Sequence, residues 1–249
     1  MSAETAYENV LEVRGLSKQY KKGVYASKDV TFNVRKGEIF ALIGQNGAGK
    51  TTTIRMISTL LKATEGDAVV DGHSILTEPD KVRRAITYLP DEAGAYKTMT
   101  GTGYLEFMAG IYADSPEQAK EFVKRGSEIS ELGDRLKDKI GSYSRGMIRK
   151  LLLARAMMPQ PSLAILDEPT SGLDIINALD IRRMIKKLAA DGMSFLISSH
   201  NMLEIEYVSD RVGIIAKGHL LEIGTAQELK EKYGTNNLEE VFEKVVLKK

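Results

Sequence analysis

One nine-residue stretch, Gly44 to Thr52, limits the possible folds of this chain more than any other segment. It reads GQNGAGKTT and lies between an apolar, strand-like segment (38–44) and a segment with helical spacing (51–61). Glycines at such a point let the backbone wrap closely and turn its amide groups inward, which makes a nest for an anion. A strand, a glycine-rich loop and a helix in this order predict an α/β fold built around a phosphate-binding loop.

The residue types in the loop suit a nucleoside triphosphate. Residues 44–51 fit the pattern G-x-x-x-x-G-K-[ST] in full. Lys50 supplies a mobile charge for the β- and γ-phosphates, and two unit charges about 4 Å apart attract by about 4 kcal/mol at an effective dielectric near 20. Thr51 offers a hydroxyl to Mg²⁺. A glycine-rich turn that binds nothing is the alternative, and the complete pattern argues against it. The predicted ATP-binding residues of the loop are Gly44, Gln45, Asn46, Gly47, Ala48, Gly49, Lys50, Thr51 and Thr52.

An acid pair ends the apolar run LAILDE (163–168), which has the character of a buried parallel strand. Short right-handed crossovers are expected to place this strand side by side with the strand before the phosphate loop. Asp167 would then hold Mg²⁺, and Glu168 would orient and deprotonate the attacking water, a task worth roughly 10²–10⁴ in rate. The alternative is a solvated acid pair at a turn before Pro169, and the phosphate loop disfavours it.

The periodicity of the remaining segments predicts how the chain is organised. Strand patterns dominate the first part, helical spacing fills residues 101–158, and strands alternate with helices up to about residue 224. Two short amphipathic helices, broken at Gly234, are predicted at the end. We expect a single α/β domain (1–249) with a mixed sheet. Its parts are a nucleotide-binding core with an N-terminal antiparallel β subdomain (1–90 and 160–224), an inserted α-helical subdomain (91–159) and a helical tail (225–249).

A second helix start lies in SYSRGM (142–147). Ser144 stands where an N-cap residue should, and Gly146 follows it, so this helix start is able to bind an anion. A chain with one nucleotide needs two such sites only if the second serves the nucleotide of another molecule.

At this point the sequence resembles the ATP-binding subunit of ABC transporters, with a P-loop NTPase core, over nearly its whole length. The family's phosphate loop is commonly GPNGAGKTT, and its signature LSGGQ corresponds to YSRGM (143–147) here. DEPTSGLD (167–174) matches the family outright and ends in the D-loop residue Asp174. His200 matches the switch histidine, Tyr20 falls where the family stacks an aromatic ring on adenine, and YLPDE (88–92) falls at the Q-loop.

The resemblance implies roles for these residues. A signature tip made by Ser144, Arg145, Gly146 and Met147 would cap the γ-phosphate of ATP bound to the opposite subunit, and His200 would be catalytic by donating a hydrogen bond to a γ-phosphate. For Asp174 the alternative is N-capping of the next helix, which is compatible with the D-loop role, and for Tyr20 the alternative is simple packing. His73 and His219 are interpreted as ordinary surface or core residues.

Several positions depart from the family pattern. Asp91 replaces the usual glutamine, unless Glu92 takes the role, and an acid there would bind Mg²⁺ but add negative charge near the γ-phosphate. We hypothesise weaker ATP affinity without Mg²⁺ and altered coupling to the membrane partner, which the family's glutamine normally senses. Arg145 replaces a glycine and Met147 a glutamine. YSRGM resembles the signatures of ABC-2 type drug and sodium exporters, and the closing LEEVFEKV (238–245) is a weaker sign of the same group.

Composition limits the partners. Net charge is +1, there is no cysteine, no run of about 18 apolar residues occurs, and the first ten residues do not resemble a secretory signal. We therefore expect no nucleic acid and no direct membrane insertion. The predicted protein is a cytoplasmic ATPase, peripheral on the inner face of the cell membrane. It forms a homodimer or a heterodimer with another ABC ATPase and drives integral membrane permease subunits, with ATP and Mg²⁺. The alternatives are a soluble ABC ATPase acting on a non-transport macromolecule and a regulator that binds ATP without hydrolysing it.

Overall fold

A computed structural model describes residues 8–247, and its first strands are longer than the sequence predicts. β1 (Asn9–Lys21) and β2 (Val24–Arg35) form an antiparallel hairpin. β4 (Glu65–Val70) pairs with the other edge of β1, and the short β5 (His73–Ser74) completes a four-stranded antiparallel sheet among these residues, in the order β2-β1-β4-β5. The predicted antiparallel unit near the N-terminus is confirmed.

A mixed sheet forms the centre of the molecule. Its strands, in the order β10-β9-β3-β8-β7-β6, are parallel except for the antiparallel β9–β10 pair. Within the described range this sheet consists of β3 (Ile39–Ile43), β6 (Ile86–Leu89), β7 (Leu163–Asp167), β8 (Ser194–Ser199), β9 (Arg211–Ala216) and β10 (His219–Gly224).

The strand before the phosphate loop and the acid strand are not neighbours, so that part of the prediction is wrong. β8 lies between β3 and β7 and pairs in parallel with both. At about 4.8 Å per strand spacing, β3 and β7 are separated by about 10 Å. Because parallel strands end at the same edge of a sheet, the loops after β3, β7 and β8 nevertheless meet there.

Helices cover both faces of this sheet, and all the predicted ones are present. α2 is an addition that the sequence analysis missed. The helices of residues 8–247 are α1 (Lys50–Ile57), α2 (Pro79–Ala85), α3 (Gly101–Tyr112), α4 (Pro116–Ser130), α5 (Arg145–Met157), α6 (Ile175–Ala190), α7 (Met202–Val208), α8 (Ala226–Tyr233) and α9 (Leu238–Leu247). α3, α4 and α5 pack on one another and form the predicted helical block.

Alternate residues of β3 enter two different apolar cores, since both faces of a central parallel strand are covered. Ile39, Ala41 and Ile43 pack into the core that includes α5 and α6. Phe40 and Leu42 pack into the core shared with α1 and the antiparallel sheet. The phosphate loop thus leaves a strand that is fixed on both sides.

Within residues 8–247, every helix is too short or too polar to cross a bilayer. The first ten residues, interpreted above as unlike a secretory signal, lie mostly outside the described residues. The last two residues of the predicted tail lie outside them as well.

Candidate functional site

The loop between β3 and α1 depends on glycine at two positions with left-handed backbone. Gly47 has φ 79° and Gly49 has φ 110°. A Cβ on Gly49 would lie 2.5 Å from the carbonyl oxygen of Ala26, closer than any side chain tolerates. α1 begins directly after Gly49 without a side-chain cap, so its first amide groups are left for another acceptor.

Lys50 is buried at the start of α1, with a side chain only 6% exposed. Its Nζ donates to the carbonyl oxygens of Gly44 at 2.7 Å and Gln45 at 3.3 Å, and lies 3.7 Å from Oε1 of Glu168. Burial lowers the pKa of the Lys50 ammonium, while Glu168 and Asp167 oppose that shift. The cation is therefore held inside the loop, where a bound phosphate would replace part of its lost solvation.

Asp167 ends β7 as a buried carboxylate whose oxygens contact three different elements. Oδ1 accepts hydrogen bonds from the hydroxyl of Ser198 on β8 and, at 3.4 Å, from that of Thr51 on α1. Oδ2 accepts a hydrogen bond from the Tyr88 hydroxyl at 3.4 Å. Burial, followed by the charge of Asp167, raises the pKa of Tyr88, so this hydroxyl keeps its proton. β8 thus bridges the gap between the phosphate loop and the acid strand.

Glu168 lies between Lys50 and His200. Its carboxylate is 13% exposed, and Oε1 is 2.9 Å from Nδ1 of His200. The backbone of Glu168 has φ 50°, and its amide donates to the carbonyl oxygen of Ser198 at 3.1 Å. Left-handed backbone at a non-glycine residue is uncommon and is found often at functional sites, where it aims a side chain.

A cavity of about 230 Å³ is lined by the phosphate loop and by the carboxylates of Asp167 and Glu168, while His200 lies outside its lining. The chain brings together there most of the predicted loop and acid residues: Gln45, Asn46, Gly47, Ala48, Gly49, Lys50, Thr51, Thr52, Asp91, Asp167 and Glu168, with Ala26. A larger cavity of about 430 Å³ lies between α4 and the end of α6, but its lining contains none of the predicted site residues. The smaller cavity is the candidate nucleotide site.

Asp91 reaches this cavity but is also held by an arginine. Nη2 of Arg149, on α5, donates to the Asp91 carbonyl oxygen at 3.0 Å and lies 3.7 Å from Oδ1 of its carboxylate. Arg149 was not recognised from the sequence, because nothing in its local pattern indicates contact with a loop 58 residues away.

The signature tip lies away from the cavity of its own chain. Ser144 caps α5 as predicted, accepting the Met147 amide at 3.2 Å, and Ser144 and Arg145 are exposed. A Cβ on Gly146 would lie 1.9 Å from Oδ1 of Asn177, so the glycine permits α5 to contact the start of α6 in the same chain.

Asp174 caps α6, which was the alternative interpretation of this residue. Its Oδ1 accepts the Asn177 amide at 2.9 Å, and its Oδ2 accepts the Asn177 side chain at 2.6 Å. These hydrogen bonds lower the pKa of the Asp174 carboxyl. Asn177 therefore joins the D-loop to the signature tip, a role that its place in an ordinary helical segment did not indicate.

Tyr20 lies on β1 outside the lining of the cavity. Its ring is 60% exposed, and Nζ of Lys18 is 5.6 Å from the ring centre. Such exposure disfavours the packing alternative and leaves the ring available to another planar group.

A phosphate loop, a carboxylate pair and a histidine at one edge of a mostly parallel sheet define a P-loop nucleoside triphosphatase. The model of the ABC transporter family matches residues 27–171, and the chain belongs to this family.

The relatives that this chain matches are ATP-binding proteins. The linearmycin resistance ATP-binding protein of Bacillus subtilis is 38% identical over 92% of this chain and 73% of its own length. The ABC transporter ATP-binding protein NatA of the same organism is 34% identical over 89% of this chain and 91% of its own length. The daunorubicin/doxorubicin resistance ATP-binding protein of Streptomyces peucetius is 36% identical over 92% and 69%.

Solved structures agree with this assignment. An ATP-binding subunit of an ABC transporter superposes with a TM-score of 0.83 at 30% identity, over 95% of this chain and 99% of its own. A dimeric ATP-binding cassette in a post-hydrolysis state, bound to ADP and phosphate, gives 0.75 at 25% identity, over 86% and 98%. The chain is an ATP-hydrolysing motor subunit of an ABC transporter.

Proposed function

We propose that two ATPase subunits of this kind, two copies or one copy and a relative, enclose two ATP molecules and drive export through separate permease subunits. One observation carries the proposal. The chain gathers its phosphate loop and the carboxylates of Asp91, Asp167 and Glu168 around one cavity, with His200 beside Glu168, yet the residues of its signature tip are absent from the lining of that cavity. A helix start whose first residues, Ser144 and Arg145, are exposed fits an anion held by another molecule.

Within each subunit, residues 44–52 and Lys50 would hold the phosphates. Thr51 and Asp167, with oxygens 3.4 Å apart, fit Mg²⁺, which prefers hard oxygen ligands and takes the rest of its shell from phosphates and water. Asp91 lines the same cavity and would be a further ligand. Bound Mg²⁺ would neutralise charge that develops on the phosphates.

Glu168 would act as the general base. Its carboxylate is largely shielded from solvent and anchored between Lys50 and His200, which would orient it toward a water on the γ-phosphate. His200 would exchange its bond to Glu168 for one to the γ-phosphate once ATP is bound. Tyr20 would stack on adenine.

Across the dimer, the signature tip and Asp174 would complete the site of the partner subunit. Ser144 and the amides beside Gly146 would cap the γ-phosphate, and Arg145 would add a cation. Closure would exclude water from the reaction, and loss of phosphate would favour reopening, because the closed state binds the triphosphate more tightly. The dimeric cassette that this chain resembles supports the arrangement.

The permease subunits would rest against residues 89–110. This region carries exposed apolar side chains, including Tyr96 and Phe107, whose rings contact each other edge to face at 5.8 Å. Export, and a place on the inner face of the cell membrane, are proposed because relatives are named for drug resistance. No feature of these relatives favours a soluble ATPase with a non-transport target.

The test is Glu168→Gln, which keeps size and removes the base. We expect turnover to fall roughly 10²–10⁴-fold and ATP to trap a dimer that is visible by light scattering. Glu239→Gln, on the exposed face of α9, is the matched control and should behave as wild type. Unimpaired turnover of Glu168→Gln would remove Glu168 from its role, and full turnover by a strict monomer, with a membrane partner present, would refute the shared site.

A further inference from the structure

Arg149 connects the signature helix to the Q-loop of the same chain. It lies on α5 one turn beyond the signature tip, and its Nη2 binds the carbonyl oxygen of Asp91 at 3.0 Å. A backbone bond of this kind fixes the path of the loop, whereas the 3.7 Å approach to the Asp91 carboxylate is chiefly electrostatic.

The guanidinium is placed where a charge is costly. The Arg149 side chain is only 10% exposed, and its Nη1 is buried without a hydrogen-bond partner among residues 8–247. Desolvation of a cation in such a place destabilises the fold unless another interaction offsets it. The Asp91 carboxylate is the acid found beside it; this side chain is 44% exposed, and Asp91 is one of the residues that line the cavity.

The cavity itself has an excess of negative charge. Asp91, Asp167 and Glu168 line it, while Lys50 is the basic residue in the same lining. A triphosphate would bring further negative charge. A second cation behind the Asp91 loop therefore reduces repulsion where the γ-phosphate would lie.

We propose that Arg149 is a positioning residue that tethers the Asp91 loop to α5 and balances the charge of the Asp91 carboxylate against the γ-phosphate. The proposal rests on the nucleotide site proposed above. It explains how this chain accepts an acid in place of the Q-loop glutamine. Arg149 also joins the Asp91 loop, which lies beside the nucleotide site of its own subunit, to α5, whose tip would serve the nucleotide of the partner subunit.

The test is a double-mutant cycle with Arg149→Met and Asp91→Asn, read as the Kd of ATP and of ADP without Mg²⁺. Because the Asp91 carboxylate is partly solvated, we expect Arg149→Met to weaken ATP binding only about two- to fivefold. The Kd of ADP, which lacks the γ-phosphate, should change less than that of ATP. In the Asp91→Asn background the effect of Arg149→Met on the Kd of ATP should become smaller, because the carboxylate that Arg149 balances is gone and only its bond to the backbone carbonyl remains to be lost. Lys150→Met is the matched control, since this lysine on α5 pairs with Asp180 at 2.8 Å instead, and it should leave both affinities unchanged.

Equal weakening of ATP and ADP, or the same loss with and without Asp91, would overturn the proposal and leave Arg149 a packing role. If Arg149→Met does not fold, Arg149→Lys replaces it in the cycle, and its preserved charge should keep the wild-type ratio of ATP to ADP affinity. A changed ratio would contradict the charge balance. Lys50→Ala distinguishes a failure of the proposed nucleotide site from a failure of the proposed role of Arg149. If it binds ATP normally, the proposed nucleotide site is wrong. If Lys50→Ala loses ATP binding while the double-mutant cycle shows no coupling between Arg149 and Asp91, only the proposed role of Arg149 is wrong.

Discussion

Alanine should destabilise the protein by different amounts at two glycines of the phosphate loop. Both Gly47 and Gly49 have positive φ, so alanine forces an L side chain into an unfavourable backbone region at either position. A Cβ at Gly47 would meet no atom of the described chain within 4 Å. A Cβ at Gly49 would lie 2.5 Å from the Ala26 carbonyl oxygen and 3.3 Å from Cα of Gly218, which are backbone atoms that cannot rotate away.

The expected cost follows from these two terms. Left-handed backbone costs an L residue about 1–2 kcal/mol, which is the whole effect expected for Gly47→Ala. Overpacking costs about 1–3 kcal/mol more, so Gly49→Ala should destabilise the chain by about 2–5 kcal/mol. For a chain of this size each kcal/mol lowers the Tm by about 2–4 °C, which predicts a fall of about 4–20 °C for Gly49→Ala.

The assay is urea unfolding of both variants without nucleotide, because bound ATP would add its own stabilisation. Circular dichroism and intrinsic fluorescence should give the same midpoints. Equal free energies of unfolding for Gly47→Ala and Gly49→Ala would refute the reasoning, since the close approach to Ala26 would then contribute nothing.

Three further predictions follow from single contacts. Asp91→Gln should bind ATP more tightly than wild type in EDTA, as measured by calorimetry, and unchanged affinity would contradict the charge argument. His200→Ala should lower kcat about 10²–10³-fold while KM changes little, because the lost donor acts on the reacting phosphate; a KM effect alone would count against this. The Glu222 hydrogen bond raises the pKa of Tyr233 to about 12, above its unfolded value near 10. The native state then holds the proton more tightly, so urea midpoints should fall more steeply between pH 10 and 12 in wild type than in Tyr233→Phe, and parallel profiles would exclude this bond as the cause.

Local signals in the sequence predicted much of the fold. The loop glycines, the acid after an apolar strand and the capping residues Ser144 and Asp174 each act on neighbours within a few residues, so their patterns are visible along the chain. The same is true of the tail, where Thr225 and Glu228 form a capping box at the start of α8.

What remained hidden depends on long-range pairing. The insertion of β8 between β3 and β7 is set by sheet topology, which periodicity does not encode. Ser198 and Arg149 acquire their importance only once the sheet brings them to Asp167 and Asp91. Asn177 resembles any helical residue until α5 and α6 are packed together.

The contact between Gly146 and Asn177 packs the signature tip directly against the start of α6. In the proposed dimer, a substitution that disrupts this contact would leave the phosphate loop of the same subunit intact and would impair the nucleotide site of the partner subunit. In a dimer of one altered and one normal copy, the ATP bound to the altered copy would therefore still be hydrolysed, whereas the ATP bound to the normal copy would not.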